Sequence, residues 1–439
     1  MLTREDNVRV TRVGPGTEMG NLMRQYWVPA LVSSELPGPD CDPVRVLLLG
    51  EQLVAFRDSN GRVGLLAHNC PHRGASLYFG RNEECGLRCV YHGWKFDVEG
   101  NCADMPNEPA ESNFKSKVKA VAYPCQERGG VVWAYLGPRA VPPPLPDIEA
   151  TMLGEGEYGL RPVQQQANWL QVLEGDIDTS HFGFLHMGSL KWEDQPEGTF
   201  GHYALKDRAP RYKVIDTPYG TMYGAYRDAD PGRYYWRIAQ FLFPFYSMAP
   251  GGVLGLTRML IARVPMDDEH TMNYFWFASP GRSGPGGRPR PQDDRAAYLP
   301  NTSDWYGRWR TKANLGNDFL IDRGQQRANT GNVGFTGLAG QLQDQAIVES
   351  MGPVFDRSQE HLGTADAMII RTRKRMLDAA QALAERQTVP PGVDEPEVYR
   401  VRSGGVVLPV EADWIEATKG LVAAFVEHPE LDPTIGANA

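Results

Sequence analysis

Two short runs, Cys70-Pro71-His72 and Cys89-Val90-Tyr91-His92, set two thiols and two imidazoles within 23 residues of chain. The first reads C-x-H and the second C-x2-H, with sixteen residues between them. Soft thiolates suit the inner ferric iron of a two-iron, two-sulfide cluster. Neutral imidazoles suit the outer iron, where they raise the potential above that of an all-cysteine centre. This is the ligand set of a Rieske [2Fe–2S] centre. Tetrahedral zinc also accepts two thiolates and two imidazoles, but zinc motifs space paired ligands by two to four residues, and C-x-H is tighter than that. The flanks His72-Arg73-Gly74-Ala75 and His92-Gly93-Trp94 add small residues and backbone amides near the sulfides.

A second constellation lies in Leu173 to His186, which contains D-x2-H-x4-H at Asp178, His181 and His186. Two imidazoles and one carboxylate with open positions make the facial triad of ferrous enzymes that activate oxygen. Asp178 and His181 share one face of a regular helix. His181 and His186 do not, so both meet one ion only if the helix bulges or breaks near Gly183. A cluster that supplies electrons needs a centre that consumes them, which gives the histidine pair its reason. The third ligand must come from elsewhere. In Gln341 to Met351, Asp344 aligns with Ile347, Val348 and Met351 on an apolar, inward helix face, where a charge without a purpose is costly. Glu349 neighbours Gln345, reads as solvated, and is the fallback ligand.

The elements that must carry these groups divide the chain. Short strands at 45–49 and 53–57, a turn at Asn60-Gly61 and a strand at 131–136 read as a small all-β metal domain over 38–140, after an N-terminal extension at 1–37. The run Pro142-Pro143-Pro144-Leu145-Pro146 makes 141–150 a stiff linker. Residues 151–439 read as an α+β domain, an antiparallel sheet with helices over one face in a helix-grip-like arrangement. Its expected parts are a helix over 164–185, strands across 201–278, a mobile loop at about 280–295, and helices over 340–351 and 364–386. Arginines on the strands that would line its pocket are Arg208, Arg211, Arg237 and Arg258. Arg237 shares a strand face with Tyr235, Ala239 and Phe241, and an arginine there is either paired or aimed at a ligand. Phe243, Phe245 and Tyr246 line an aromatic slot or pack the core.

With 439 residues, six cysteines and a net charge of −9, the chain offers no basic face for nucleic acid and no disulfide framework. No apolar run reaches membrane-spanning length, and the N-terminus lacks an apolar signal core, so the expected compartment is the cytoplasm. Cys41, Cys85, Cys102 and Cys125 read as small buried residues. No G-x-G-x-x-G unit in a βαβ context is present for a dinucleotide.

Asn69-Cys70-Pro71-His72-Arg73-Gly74 and Cys89-Val90-Tyr91-His92-Gly93-Trp94, with Tyr26-Trp27-Val28-Pro29 upstream and Asp356 to Gly363 downstream, resemble the oxygenase components of Rieske non-haem iron enzymes, the phthalate dioxygenase type in particular. The resemblance implies Cys70, His72, Cys89 and His92 around the cluster, without the extra loop cysteines that form a disulfide in some Rieske proteins, and hence a potential low in the Rieske range. It implies His181, His186 and Asp344 around Fe(II). It makes Asp178 not a ligand but a bridge from His181 to the cluster histidine, His92, of a neighbouring copy in a trimer or stacked hexamer; Glu174 and Asp176 lie at the same junction. It implies O2 and an aromatic carboxylate such as phthalate as substrates, with Arg211, Arg237 and Arg208 as candidate carboxylate partners. NADH would serve indirectly, through a separate flavin or iron–sulfur reductase. Cis-dihydroxylation is the expected outcome. Monooxygenation or O-demethylation on the same scaffold is the alternative, and an electron carrier without catalysis is the remote one.

Overall fold

The computed structural model describes residues 2–109, 111–188, 190–278, 294–329, 333–338 and 340–432. The loop expected at about 280–295 falls mostly on 279–293, outside the described residues. Helices α1 (Arg4–Thr11) and α2 (Glu18–Met23) lead into strand β1 (Trp27–Val32). Next come β2 (Val44–Leu48), β3 (Glu51–Arg57) and β4 (Val63–Ala67), then β5 (Arg81–Glu83), β6 (Gly86–Arg88), β7 (Lys95–Phe96) and β8 (Cys102–Asp104). Strands β9 (Ala122–Tyr123), β10 (Cys125–Arg128) and β11 (Val131–Tyr135) follow. They form three small antiparallel sheets, ordered β1-β11-β10, β2-β3-β4-β9 and β5-β6-β7-β8. The Asn60-Gly61 turn joins β3 to β4 with Gly61 at φ +81°, the conformation a tight hairpin asks of glycine.

The larger part begins with β12 (Gly159–Gln165) and α3 (Trp169–Asp176), and continues after a π-helix at Phe182–His186 with α4 (Phe200–Lys206). Strands β13 (Arg211–Thr217), β14 (Gly220–Asp228), β15 (Arg233–Leu242), β16 (Tyr246–Met248), β17 (Arg258–Pro265) and β18 (Thr271–Ala278) come next. They are followed by α5 (Arg323–Ala328), α6 (Gln341–Ser350), α7 (Ala367–Arg386), β19 (Gly404–Pro409) and α8 (Trp414–Val422). One antiparallel sheet runs β12-β18-β17-β16-β15-β14-β13, with β19 added beside β15. The fold is therefore α+β. Two expectations are corrected here. Residues 159–165 pair with β18 as an edge strand, so the helix begins only at Trp169. Residues 200–206 are helical, under a Thr199 cap. In both places side-chain type misled, because edge pairing and capping are set by neighbours distant in sequence.

Helix α7 turns Met368, Thr372, Met376 and Ala380 inward at four-residue spacing, the stripe by which a helix covers a sheet; it packs on β13 and β14. Trp133 of β11 and Trp276 of β18 stack at 6.1 Å, and the Trp276 indole donates to Gly129 O at 2.7 Å. These contacts join the small sheets to the large one through a shared core. Phe243, Phe245 and Tyr246 lie within it, each at most 1% exposed, so they are core rather than slot. Cys102 is buried, while Cys41, Cys85 and Cys125 are only half-buried. No helix among the described residues is long and apolar enough to cross a membrane.

Candidate metal centres

The two cysteine–histidine loops close by the same hydrogen bonds. Gly74 N–H donates to Cys70 O and Gly93 N–H to Cys89 O, both at 2.9 Å. Cys70 N–H donates to Ala75 O and Cys89 N–H to Trp94 O, both at 2.8 Å. Each loop therefore needs a left-handed residue four places after its cysteine, and finds Gly74 at φ +75° and Gly93 at φ +80°. A Cβ at Gly93 would also meet Pro106 Cγ at 2.6 Å. The loops face each other. The His72 ring lies 4.5 Å from that of His92 and stacks on Trp94 at 4.2 Å.

These residues suit an iron–sulfur cluster. Both thiols are buried, and burial first, then the neighbouring Cys89 sulfur, pushes the Cys70 thiol up to about 11. Two adjacent buried thiols become thiolates when a cation compensates them. His92 Nδ1 is buried with no hydrogen-bond partner among the described residues, as a nitrogen that takes a metal would be. Only one set of described residues, His181, His186 and Asp344, gathers its donor atoms within 4.8 Å. The four loop donors spread more widely, which suits two irons better than one zinc.

The second centre is built on an interrupted helix. Asn168 caps α3 through Leu170 N–H, a cap of about 1 kcal/mol, and α3 ends at Asp176. After five residues the chain resumes as a π-turn from Phe182 to His186. That insertion swings His186 back toward His181, with ring centroids 5.2 Å apart. Asp344, on α6, meets both: its Oδ1 is 3.0 Å from His186 Nε2 and 3.6 Å from His181 Nε2. Burial opposes ionisation of Asp344, but the His186 hydrogen bond and the nearby positive groups outweigh it and hold its pKa below the usual carboxylate range. For His181 burial disfavours the charged ring, yet the Asp178 bond and charge prevail and raise its pKa. The approach of His181 Nδ1 to Asp178 Oδ2 is 3.3 Å, and Asp178 Oδ1 accepts from Ser180 N–H at 2.6 Å.

Ion pairs hold this framework from behind. Asp176 accepts from Arg263 Nε at 2.8 Å and Ser247 Oγ at 2.7 Å. Glu174 binds Arg373 Nε at 2.6 Å and the fully buried Arg357 at 3.2 Å. Both acids are thus pinned to the scaffold behind the histidine pair. Glu349 is corrected most sharply. It is 2% exposed, not solvated, and accepts from Gln166 N–H and Gln345 Nε2. The buried residues of α6 are Leu342, Gln343, Gln345, Val348 and Glu349, while Ile347 and Met351 are exposed. Asp344 faces the histidine pocket, with its side chain 44% exposed, rather than an apolar core.

The four arginines expected around the pocket have different surroundings. Arg208 gives Nη1 to the carbonyls of Gly183 and Gly188 and Nη2 to that of Leu190. It staples the histidine-bearing turn, a role with no signal in the sequence. Arg211 is exposed, pairs with Asp228 at 2.8 Å and stacks on Tyr226. Arg258 pairs with Glu149 and Glu427. Arg237 differs from all of these. It is 5% exposed, its guanidinium lies 3.8 Å over Phe200, and Nη2 donates to Pro250 O at 3.1 Å. Nε and Nη1 have no partner among the described residues. Burial lowers its pKa, and its charge reaches His181 and Asp178. Nearby Arg227, fully buried and pushed down by burial to about 10, donates to Asp207 O and Thr179 O.

Residues 26–123 match the family model of the Rieske [2Fe-2S] domain, and residues 134–434 match that described as LigXa C-terminal domain like. The chain is 46% identical over 436 residues to the 3-chlorobenzoate-3,4-dioxygenase oxygenase subunit of Comamonas testosteroni, covering 97% of this chain and 100% of that one. It is 37% identical over 431 residues to the phthalate 4,5-dioxygenase oxygenase subunit of Pseudomonas putida, covering 94% of each. Dicamba monooxygenase bound to dicamba shares the fold at a TM-score of 0.56 and 16% identity, over 83% of this chain and 100% of that one.

Proposed function

The chain belongs to the Rieske non-haem iron oxygenases, as an oxygenase subunit, and from that premise we propose that it dihydroxylates an aromatic carboxylate anchored by Arg237. The observation that carries the reading is a buried guanidinium beside the π-turn, with two nitrogens that have no partner among the described residues. The two donors lie on opposite sides of the guanidinium, and an ionised carboxylate is the ligand best suited to accept from either. The substrates named for the two relatives, 3-chlorobenzoate and phthalate, are both aromatic carboxylates.

In this reading Cys70, His72, Cys89 and His92 hold the [2Fe–2S] cluster, and His181, His186 and Asp344 hold Fe(II). When bound, the cluster supplies single electrons and the ferrous ion supplies oxygen activation. The chain's own work is placement. Arg237 fixes the carboxylate, and with it the ring edge presented to the metal site. Phe182 and Phe200, against the guanidinium, keep water from that ion pair and strengthen it. Asp178 orients His181 and reaches toward the cluster histidine of a neighbouring copy in a cyclic trimer. Cis-dihydroxylation joins both atoms of O2 to adjacent ring carbons; it takes two electrons from NADH through a separate reductase and two protons, one from NADH and one from solvent.

The test is turnover of the reconstituted enzyme with reductase, NADH and ¹⁸O2 on a panel of benzoates, phthalates and their neutral amides. The expected product is a cis-diol carrying two ¹⁸O atoms, formed from acids and not from amides. Formaldehyde release from methoxybenzoates would assign the site to O-demethylation instead. Turnover of neutral arenes without acids would overturn the carboxylate reading.

A further inference from the structure

Gln343 sits one residue before Asp344 on α6 and is completely buried. Its amide has one allowed orientation. Nε2 donates to Leu338 O at 2.5 Å, so the group facing His186 Nδ1, at 2.6 Å, is the oxygen Oε1. An amide oxygen only accepts hydrogen bonds. The imidazole must therefore carry a hydrogen on Nδ1, so the nitrogen it can offer a metal is Nε2, the one that lies 3.0 Å from Asp344 Oδ1. His181 reaches the same arrangement by other means, since its Nδ1 faces the carboxylate of Asp178. One imidazole is backed by an anion and the other by a neutral amide.

We infer that Gln343 is a positioning residue that fixes the tautomer and ring plane of His186 for metal binding. Its neutrality makes His186 the weaker donor of the pair. This rests on the proposed reading that His186 takes Fe(II). A backing acceptor raises the basicity of a metal-bound imidazole, and a charged acceptor does so more than a neutral one. The backbone bond to Leu338 locks the amide, so that the oxygen cannot exchange places with the NH2 group. Removing the acceptor frees the ring to rotate and to present the wrong nitrogen.

The experiment uses the full-length protein with its cluster loaded and the mononuclear site stripped by a chelator. Co(II), as a spectroscopic probe, and Fe(II) are then titrated in. Gln343→Leu, which loses both the acceptor and the Leu338 bond, is expected to raise the dissociation constant about 10- to 100-fold. Gln343→Glu also loses the Leu338 donor but keeps an acceptor, now charged. It is expected to bind Co(II) at least as tightly as the parent. A residue that merely packs α6 would weaken binding equally in both variants, and that result would overturn the inference. So would unchanged affinity in Gln343→Leu. Should the Leu variant fail to fold, judged by its cluster spectrum, looser binding by Gln343→Glu alone overturns it. His186→Ala serves as the reference: retention of metal there would refute the iron reading itself, a separate outcome.

Discussion

Replacement of Arg237 by methionine separates a ligand-holding arginine from a structural one. In the folded chain the guanidinium makes one hydrogen bond, to Pro250 O, and lies on Phe200. Its loss removes that bond and a cation–π contact worth about 2 kcal/mol when desolvated. It also removes a buried charge with no carboxylate in hydrogen-bond range among the described residues, and even buried ion pairs are often replaced by apolar groups at no cost or with a gain of about 1–4 kcal/mol. The two effects nearly cancel, so the melting temperature should move by only a few degrees. Substrate binding has no such cancellation. One charge-assisted hydrogen bond to the carboxylate is worth about 1.5–3 kcal/mol. That corresponds to roughly one to two powers of ten in affinity. The assay is kcat/KM, with substrate affinity from cluster re-oxidation, for a benzoate and its amide in parent and variant, beside thermal unfolding. Arg237→Met should lose the acid-over-amide preference and keep its stability. A destabilised variant with the preference intact would refute the reasoning.

Asp344→Ala should lose Fe(II) and product while keeping the cluster spectrum; normal iron content by metal analysis would move the ligand role to another acid. Asp178→Asn should retain both metals and bind substrate, yet re-oxidise its cluster far more slowly in single-turnover stopped flow, because the amide must donate on one side where the carboxylate accepted on both. Arg208→Met strands the carbonyls of Gly183, Gly188 and Leu190, at about 1–3 kcal/mol for each that stays buried, so Fe(II) affinity should fall while the cluster spectrum holds. Glu349 has its pKa raised, mainly by burial. The folded state therefore holds this proton more tightly than the unfolded one, and stability falls as pH rises from the unfolded value of about 4.3 through the higher folded one. Glu349→Gln should match the parent near pH 4 and become the more stable protein at pH 8 in denaturant titrations.

The sequence made the cluster loops legible because their four ligands and two glycines lie close together in the chain, where spacing reports geometry directly. It also made the break near Gly183 legible, since D-x2-H-x4-H does not fit a regular helix. Asp344 was reached through a flawed route. The face shared with Ile347 and Met351 points to solvent, and the carboxylate turns to the histidine pocket because α6 lies across it. Glu349 misled in the opposite sense: a charged residue at a helix end reads as solvated unless its partners, Gln166 and Gln345, are known to enclose it. The arginines show the same limit. Alternation assigns a strand face, but whether the donors of Arg208 are spent on Gly183 or left open, as on Arg237, depends on which backbone groups the fold brings near.

The ion pairs behind α3 also set a timetable. Cys70 to His92 leave the ribosome almost together, so the cluster cage is complete early. His186 meets Gln343 across 157 positions, and Glu174 meets Arg373 across 199. At about 5–20 residues per second, the histidine pair emerges roughly 10–30 seconds before the helix that completes its ligand set. The proposed ferrous site is therefore the last of the two centres to have all its parts outside the ribosome.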